Sequence, residues 1–190
     1  KIYGDHEDTF DGETFQRSRM LDLLIGDWDR HGDQYRWLDE LPGKNKDYRV
    51  VPRDRDQVLR VMDGILPYFV SRSWAVPTIQ GFGPQIKSTN YTLFKSDFLN
   101  AQPEMQFNLK EWNTLSNEFV ANMTDSVLEE GIKRLPLSSY EIRHTALIRD
   151  LKQRRNAIPS EMEKHYQFIN SIVDIRLSDK DEWVSIEDSP

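Results

Sequence analysis

Between Gly26 and Gln34 the chain crowds Asp27, Asp29 and Asp33 together with Arg30 and His31, directly after an apolar stretch. A second charged knot, Asp54-Arg55-Asp56, follows some way downstream. This pair of knots limits the fold more than any other feature. Like charges held so close raise the free energy unless cations, metal or basic side chains offset them. Such a stretch cannot be a central strand or the apolar face of a helix, so it must be a loop. The interleaved arginines offset part of the charge, and a divalent metal would offset the rest.

The flanks say what the loop hangs from. Phe15, Leu21, Leu24 and Ile25 fall on one stripe of a helix over 13–25, which Gly26 stops. Tyr35-Arg36-Trp37-Leu38 and Tyr48-Arg49-Val50-Val51 read as two strands, with Pro42-Gly43-Lys44-Asn45 as the turn between them. Residues 1–12 read as a lead-in loop. Residues 61–107 are broken by Pro67, Pro77, Gly81, Gly83 and Pro84, and irregular structure is expected there, with a short helix near 66–72. The rest is helical. Asn108 with Glu111 caps a helix over 109–122, and Thr124 caps one over 125–135. Ser138 with Glu141 opens a helix to 156, and Ser160 with Glu163 opens another over 161–172. Segments 173–177 and 182–186 read as a terminal hairpin. The expectation is one α+β, mostly helical domain over 1–190. Residues 13–60 carry the candidate active-site segment, and 108–190 form a helical tail ending in the hairpin.

Composition narrows the function. The 190 residues are 37% hydrophobic, with five Trp and nine Phe, enough for a core. The formal charge of −7 lacks the basic footprint of a nucleic-acid binder. With no cysteine there are no disulfides and no thiolate metal sites. No apolar run reaches the roughly 18–20 residues of a membrane span. The chain starts at Lys1 without Met, and it reads as a piece of a longer protein whose other domains are its expected partners. Trp28, Tyr35 and Trp37 read as packing residues. The run Lys152-Gln153-Arg154-Arg155 reads as a solvated helix face, and His6 with Asp5, Glu7 and Asp8 as a solvated acidic segment.

Phosphoryl transfer needs one carboxylate to orient the acceptor hydroxyl, and one or two more to hold Mg²⁺ or Mn²⁺ against nucleotide phosphates. Residues 26–57 carry such a kit in the order helix, loop, hairpin, Asp. Gly26-Asp27-Trp28-Asp29-Arg30-His31 resembles the catalytic loop of atypical kinases: the HipA-type bacterial kinases, the secretory-pathway casein kinases and the phosphatidylinositol kinases. The resemblance covers about residues 13–60 and implies a kinase-like C-terminal lobe with a small hairpin after the catalytic loop. It makes Asp29 the catalytic carboxylate and Asp54 the principal metal ligand, supported by Asp56 and Gln34. Asp27, Arg30, His31, Asp33 and Arg53 are then loop-supporting. The cofactors implied are Mg or Mn and ATP or another nucleotide.

A longer phrase, residues 26–34 with Pro52-Arg53-Asp54-Arg55-Asp56-Gln57, resembles a segment of large bacterial envelope proteins that also carry calcineurin-like metallophosphoesterase and outer-membrane barrel modules. That resemblance implies a periplasmic-side location. The chain departs from the kinase pattern in three ways. It has no glycine-rich phosphate loop and no N-lobe strand with a phosphate-pairing Lys, and Gln34 stands where a metal-binding Asn is usual. With an N-lobe upstream of Lys1, this segment alone is not expected to catalyse. The alternative is a non-catalytic docking module in which the Asp–Arg–His loop is a buried ionic network. The Asp29 and Asp54 carboxylates converging on one open cleft favour catalysis, whereas both saturated by Arg30, Arg53 or Arg55 and shut off from solvent favour the module.

Overall fold

The computed structural model describes residues 9–39, 46–62, 81–94 and 106–171. Among them the chain is α+β and mostly helical, with one small sheet. The elements are β1 (Thr9–Phe10), α1 (Gly12–Ile25), a 3₁₀ turn (Gly32–Gln34), β2 (Tyr35–Asp39), β3 (Asp47–Pro52), α2 (Thr89–Phe94), α3 (Leu109–Asn122), α4 (Asp125–Ile132) and α5 (Leu137–Asn170). The sheet order is β1-β3-β2. Strands β2 and β3 are antiparallel, with Trp37 opposite Val50, and β1 joins β3 in parallel, with Phe10 opposite Tyr48. The lead-in segment therefore contributes an edge strand and the helix cap, where a loop was expected through residue 12. Too few apolar residues precede α1 for a two-residue strand to show in the pattern.

Helix α1 starts where the Asp11 side chain accepts from the Thr14 backbone N–H at 2.9 Å and the Thr14 hydroxyl at 2.6 Å. Partial burial works to raise the Asp11 pKa, but the two Thr14 hydrogen bonds and the Arg49 guanidinium outweigh it and hold the carboxyl below its ordinary value. The helix stops at Gly26, whose φ of 74° is left-handed. A Cβ there would also stand 3.0 Å from the Phe82 ring, so two constraints select glycine.

Helix α1 is buried on two sides. Phe15 packs on Tyr35, Val50 and Trp37 of the sheet. Met20, Leu23 and Leu24 enter a second core with Leu93 of α2, Trp112, Leu115 and Phe119 of α3, Leu128 and Ile132 of α4, and Leu147, Leu151, Ile158 and Met162 of α5. Trp112 is fully buried and donates its indole N–H to the Met162 carbonyl at 2.8 Å. Tyr35 and Trp37 are thus packing residues, as expected.

Helix α3 and its Asn108–Glu111 capping box follow the sequence pattern. Thr124 caps α4, which ends at Ile132 rather than 135. Helix α2 was not expected and falls in the stretch read as irregular. The largest departure is α5, a single helix of 34 residues where two capped helices were expected. Pro136 occupies its N-cap position, so Ser138 lies inside, and the Ser160 hydroxyl donates to the Ala157 carbonyl at 2.9 Å instead of capping. Leu147, Leu151, Ile158 and Met162 keep one buried face across Pro159, and that packing outweighs the local signals. The expected helix near 66–72, the turn at 42–45, the terminal hairpin and the His6 segment lie outside the described residues. Among the described residues no helix is long and apolar enough to cross a membrane.

Pro159 gives up one backbone hydrogen bond inside a continuous helix. Pro159→Ala is expected to raise stability by about 1–3 kcal/mol, measured by urea unfolding. Two separate helices joined at Pro159 would instead leave stability unchanged or lower it.

Candidate active site

The last turns of α1 carry two charged residues on its buried side, Arg19 and Asp22, both fully buried. Arg19 Nη1 donates to the Tyr35 hydroxyl at 2.6 Å and lies 3.3 Å from Asp22 Oδ2. Its Nη2 donates to the carbonyls of Thr92 (3.3 Å) and Leu93 (2.8 Å), which fastens α2 to α1. Asp22 is the meeting point of three arginines. Besides Arg19 it accepts from Arg55 Nη1 at 2.6 Å and forms an ion pair with Arg30, whose Nε lies 3.3 Å away without hydrogen-bond geometry.

Arg30 is completely buried. Its guanidinium pairs with the Asp27 carboxylate, approaches Gln34 Oε1 at 3.4 Å, and donates to the backbone carbonyls of Arg53 and Asp54, the latter at 3.2 Å. Its charge also lies 5.7 Å from the centre of the Tyr35 ring. A backbone bond from Arg53 N–H to the Gln34 carbonyl at 2.7 Å adds a second tie between the loop and the end of β3. The segment after β3 is thus fastened to the loop after α1.

The expected site residues divide into two groups. Asp27, Arg30 and Gln34 are buried in the network, and the Gln34 side-chain oxygen Oε1 faces Arg30. Asp29 and His31 are half-buried, while Asp33, Arg53, Asp54 and Asp56 are exposed. Arg53 supports the loop through its backbone. Asp56 accepts from Gln57 Nε2 at 3.0 Å. The Asp54 carboxylate makes no hydrogen bond or ion pair among the described residues, although its backbone is held, with a left-handed φ of 55°. Aspartate tolerates that conformation better than most residues, and its fixing by Arg30 aims the side chain without occupying it. Among the described residues no three His, Asp or Glu side chains group closely enough to form a metal site of protein ligands alone. Hard cations such as Mg²⁺ ask for only one or two carboxylates, with water and phosphate as the remaining ligands, and exposed Asp54 and Asp56 fit that demand.

Three members of the network, Arg19, Asp22 and Arg55, were not among the expected site residues. Arg19 and Asp22 break the apolar run of α1 at i, i+3 spacing, next to buried Met20 and Leu23, so they must find partners inside. Arg154 corrects a further expectation. It is buried, not on a solvated face, and burial pulls its pKa down to about 10. It donates to the carbonyls of Leu23, Leu24 (2.9 Å), Gly83 (3.1 Å) and Gln85 (2.8 Å) and lies over the Phe82 ring. These bonds cap the C-terminus of α1 and leave a small pocket bounded by Asp22, Gly26, Trp28, Phe82, Lys87 and Arg154, with room for about one water.

No protein-family model, curated protein or solved structure matches this chain.

Removing one partner from a buried ionic network leaves the others uncompensated. Arg30→Met strips the positive partner from Asp27 and the tie to Arg53 and Asp54, and is expected to cost about 3–5 kcal/mol by chemical unfolding. An effect below about 1 kcal/mol would mean that Arg30 does not hold these segments together. Asp27 carries a pH signature. Burial raises its pKa most, Arg30 works against that, and the neighbouring Asp22 charge adds to the rise; the net direction is upward from 3.8. The folded chain therefore holds this proton to a higher pH than the unfolded one. That contribution is fully present below the ordinary value and is lost as pH rises through the folded value. Between about pH 4 and pH 7 the stability of Asp27→Asn is expected to improve relative to the wild type. Parallel unfolding curves at both pH values would refute the shift.

Proposed function

We propose that this chain is the catalytic-loop half of a metal-dependent, kinase-like phosphotransferase. One observation carries the reading. The Arg30 network, built on Asp22 and Asp27, ties the Asp29 loop to the Asp54 segment by the Arg53 and Asp54 carbonyls and leaves the Asp54 and Asp56 side chains exposed. Asp54 shares its left-handed backbone with Leu59 and Ser88, and of the three it alone presents a carboxylate.

In this reading Asp29 orients the acceptor hydroxyl and receives its proton as the acceptor oxygen bonds the transferred phosphorus and the bond to the leaving nucleotide phosphate breaks. Asp54 is the principal ligand of Mg²⁺ or Mn²⁺, with Asp56 beside it, and the metal when bound neutralises charge on the phosphates. Gln34, engaged by Arg30, supports the loop. The missing phosphate-covering elements would come from elsewhere in a longer chain.

A second reading has its own observation. Asp22 and Asp27 are saturated by arginines and shut off from solvent, as a docking module of an envelope protein would have them. Thermal unfolding with Mn²⁺ or Mg²⁺, with and without ATP or ADP, separates the two. A ligand that binds only the folded form adds about 2.7 kcal/mol at a hundredfold excess over Kd. The expected result is a metal-dependent rise in the wild type that disappears in Asp54→Ala and grows with nucleotide. No rise in the wild type, with Asp54→Ala destabilised on its own, would replace the catalytic reading by the structural one.

A further inference from the structure

Summed over the network, Arg19, Arg30 and Arg55 bring three positive charges to the two negative charges of Asp22 and Asp27. One positive charge is left over. Four of these five side chains are at most 1% exposed, whereas Arg55 is 26% exposed, so the excess lies where the network opens to solvent. Arg55 is also only half used. Its Nη1 is held by buried Asp22 at 2.6 Å, while its Nε and Nη2 make no hydrogen bond among the described residues. A guanidinium anchored on one edge has already lost most of its rotamer freedom, and its other donors keep the planar spacing that suits two phosphate oxygens. In the chain it stands between the exposed carboxylates of Asp54 and Asp56.

We propose that Arg55 is an anion-binding residue whose free edge takes the oxygens of a phosphoryl or pyrophosphoryl group next to Asp54. The inference deepens the phosphotransferase reading and takes from it the position of the metal. Asp54 and Asp56 repel an anion on their own, so a cation held by them strengthens the binding. Arg60 is the internal comparison: equally charged and exposed, with a side chain that among the described residues bonds only nearby Gln57 and no buried carboxylate.

Calorimetric titration of inorganic pyrophosphate into the intact chain tests this, first without metal and then with Mn²⁺. The wild type should bind saturably, and more tightly with Mn²⁺. Arg55→Gln should weaken binding by about tenfold or more, from the loss of the charge-assisted hydrogen bonds of its free edge, while Arg60→Gln stays within about threefold. Arg55→Lys keeps the charge and one donor for Asp22 but loses the second edge. It should also lose about tenfold, and it keeps the test readable if Arg55→Gln fails to fold. No saturable binding by the wild type, equal effects of the Arg55→Gln and Arg60→Gln changes, or a folded Arg55→Lys that binds like the wild type would each overturn the proposal. Its failure is separable from that of the function. A metal shift abolished in Asp54→Ala, with the Arg55 variants unaffected, discards only Arg55. Arg55-dependent pyrophosphate binding without any metal shift discards only the metal-dependent reading.

Discussion

The Arg30 guanidinium sits at zero exposure among groups from three separate stretches of chain: Asp22 on α1, Asp27 and Gln34 in the following loop, and the carbonyls of Arg53 and Asp54 after the hairpin. Taking such an ion out of water costs several kcal/mol, and only near-complete satisfaction of its donors brings that back. The requirement works as a geometric lock. The loop must turn back on the helix end, and the hairpin must deliver its last residues to the same spot, or the charge is stranded. A hydrophobic replacement could supply comparable stability, but it would not specify which carbonyls lie where.

Arg19 and Arg154 do related work on either side of Arg30. Each reaches backbone carbonyls that the ends of helices leave unpaired: Arg19 at Thr92 and Leu93 of α2, and Arg154 at Leu23 and Leu24 of α1. Among the described residues the small sheet core around Phe15 and the large helical core around Trp112 form separate apolar clusters, with the buried Arg19–Asp22–Arg30 layer beside them. That layer also carries the candidate active site, whose base is buried at Asp22, Asp27 and Arg30 while Asp33, Arg53, Asp54 and Asp56 are exposed.

The sequence showed clearly what local chemistry determines. The glycine stop of α1, the two main strands and the Asn108–Glu111 capping box each rest on a few neighbouring residues, and each appears in the fold. The charged loop was legible as a loop, but not which charges it would spend. Asp27 and Asp29 are two residues apart in near-identical company, and only the turn of the chain after Gly26 sends one inward and leaves the other half-buried. Pairs such as Arg55 with Asp22 cross 33 residues and carry no local signature. The two serine boxes in α5 misled for the opposite reason: their local signal was genuine, but a buried face continuing through Pro159 outweighed it.

Arg154 reaches back 130 residues to cap the end of α1 beside Asp22. Loop closure over such a span is slow, and a contact of this kind forms only after the intervening elements have condensed. As the chain leaves the ribosome, the helix, loop and hairpin of the candidate site therefore emerge early yet wait for α5 before the floor of the site is sealed. Completion of the site is in this sense a late step, timed by the packing of α5 against α1. A nascent or truncated chain ending before residue 154 would display all the Asp and Arg residues of the site while its supporting helix still frays at the end that bears them.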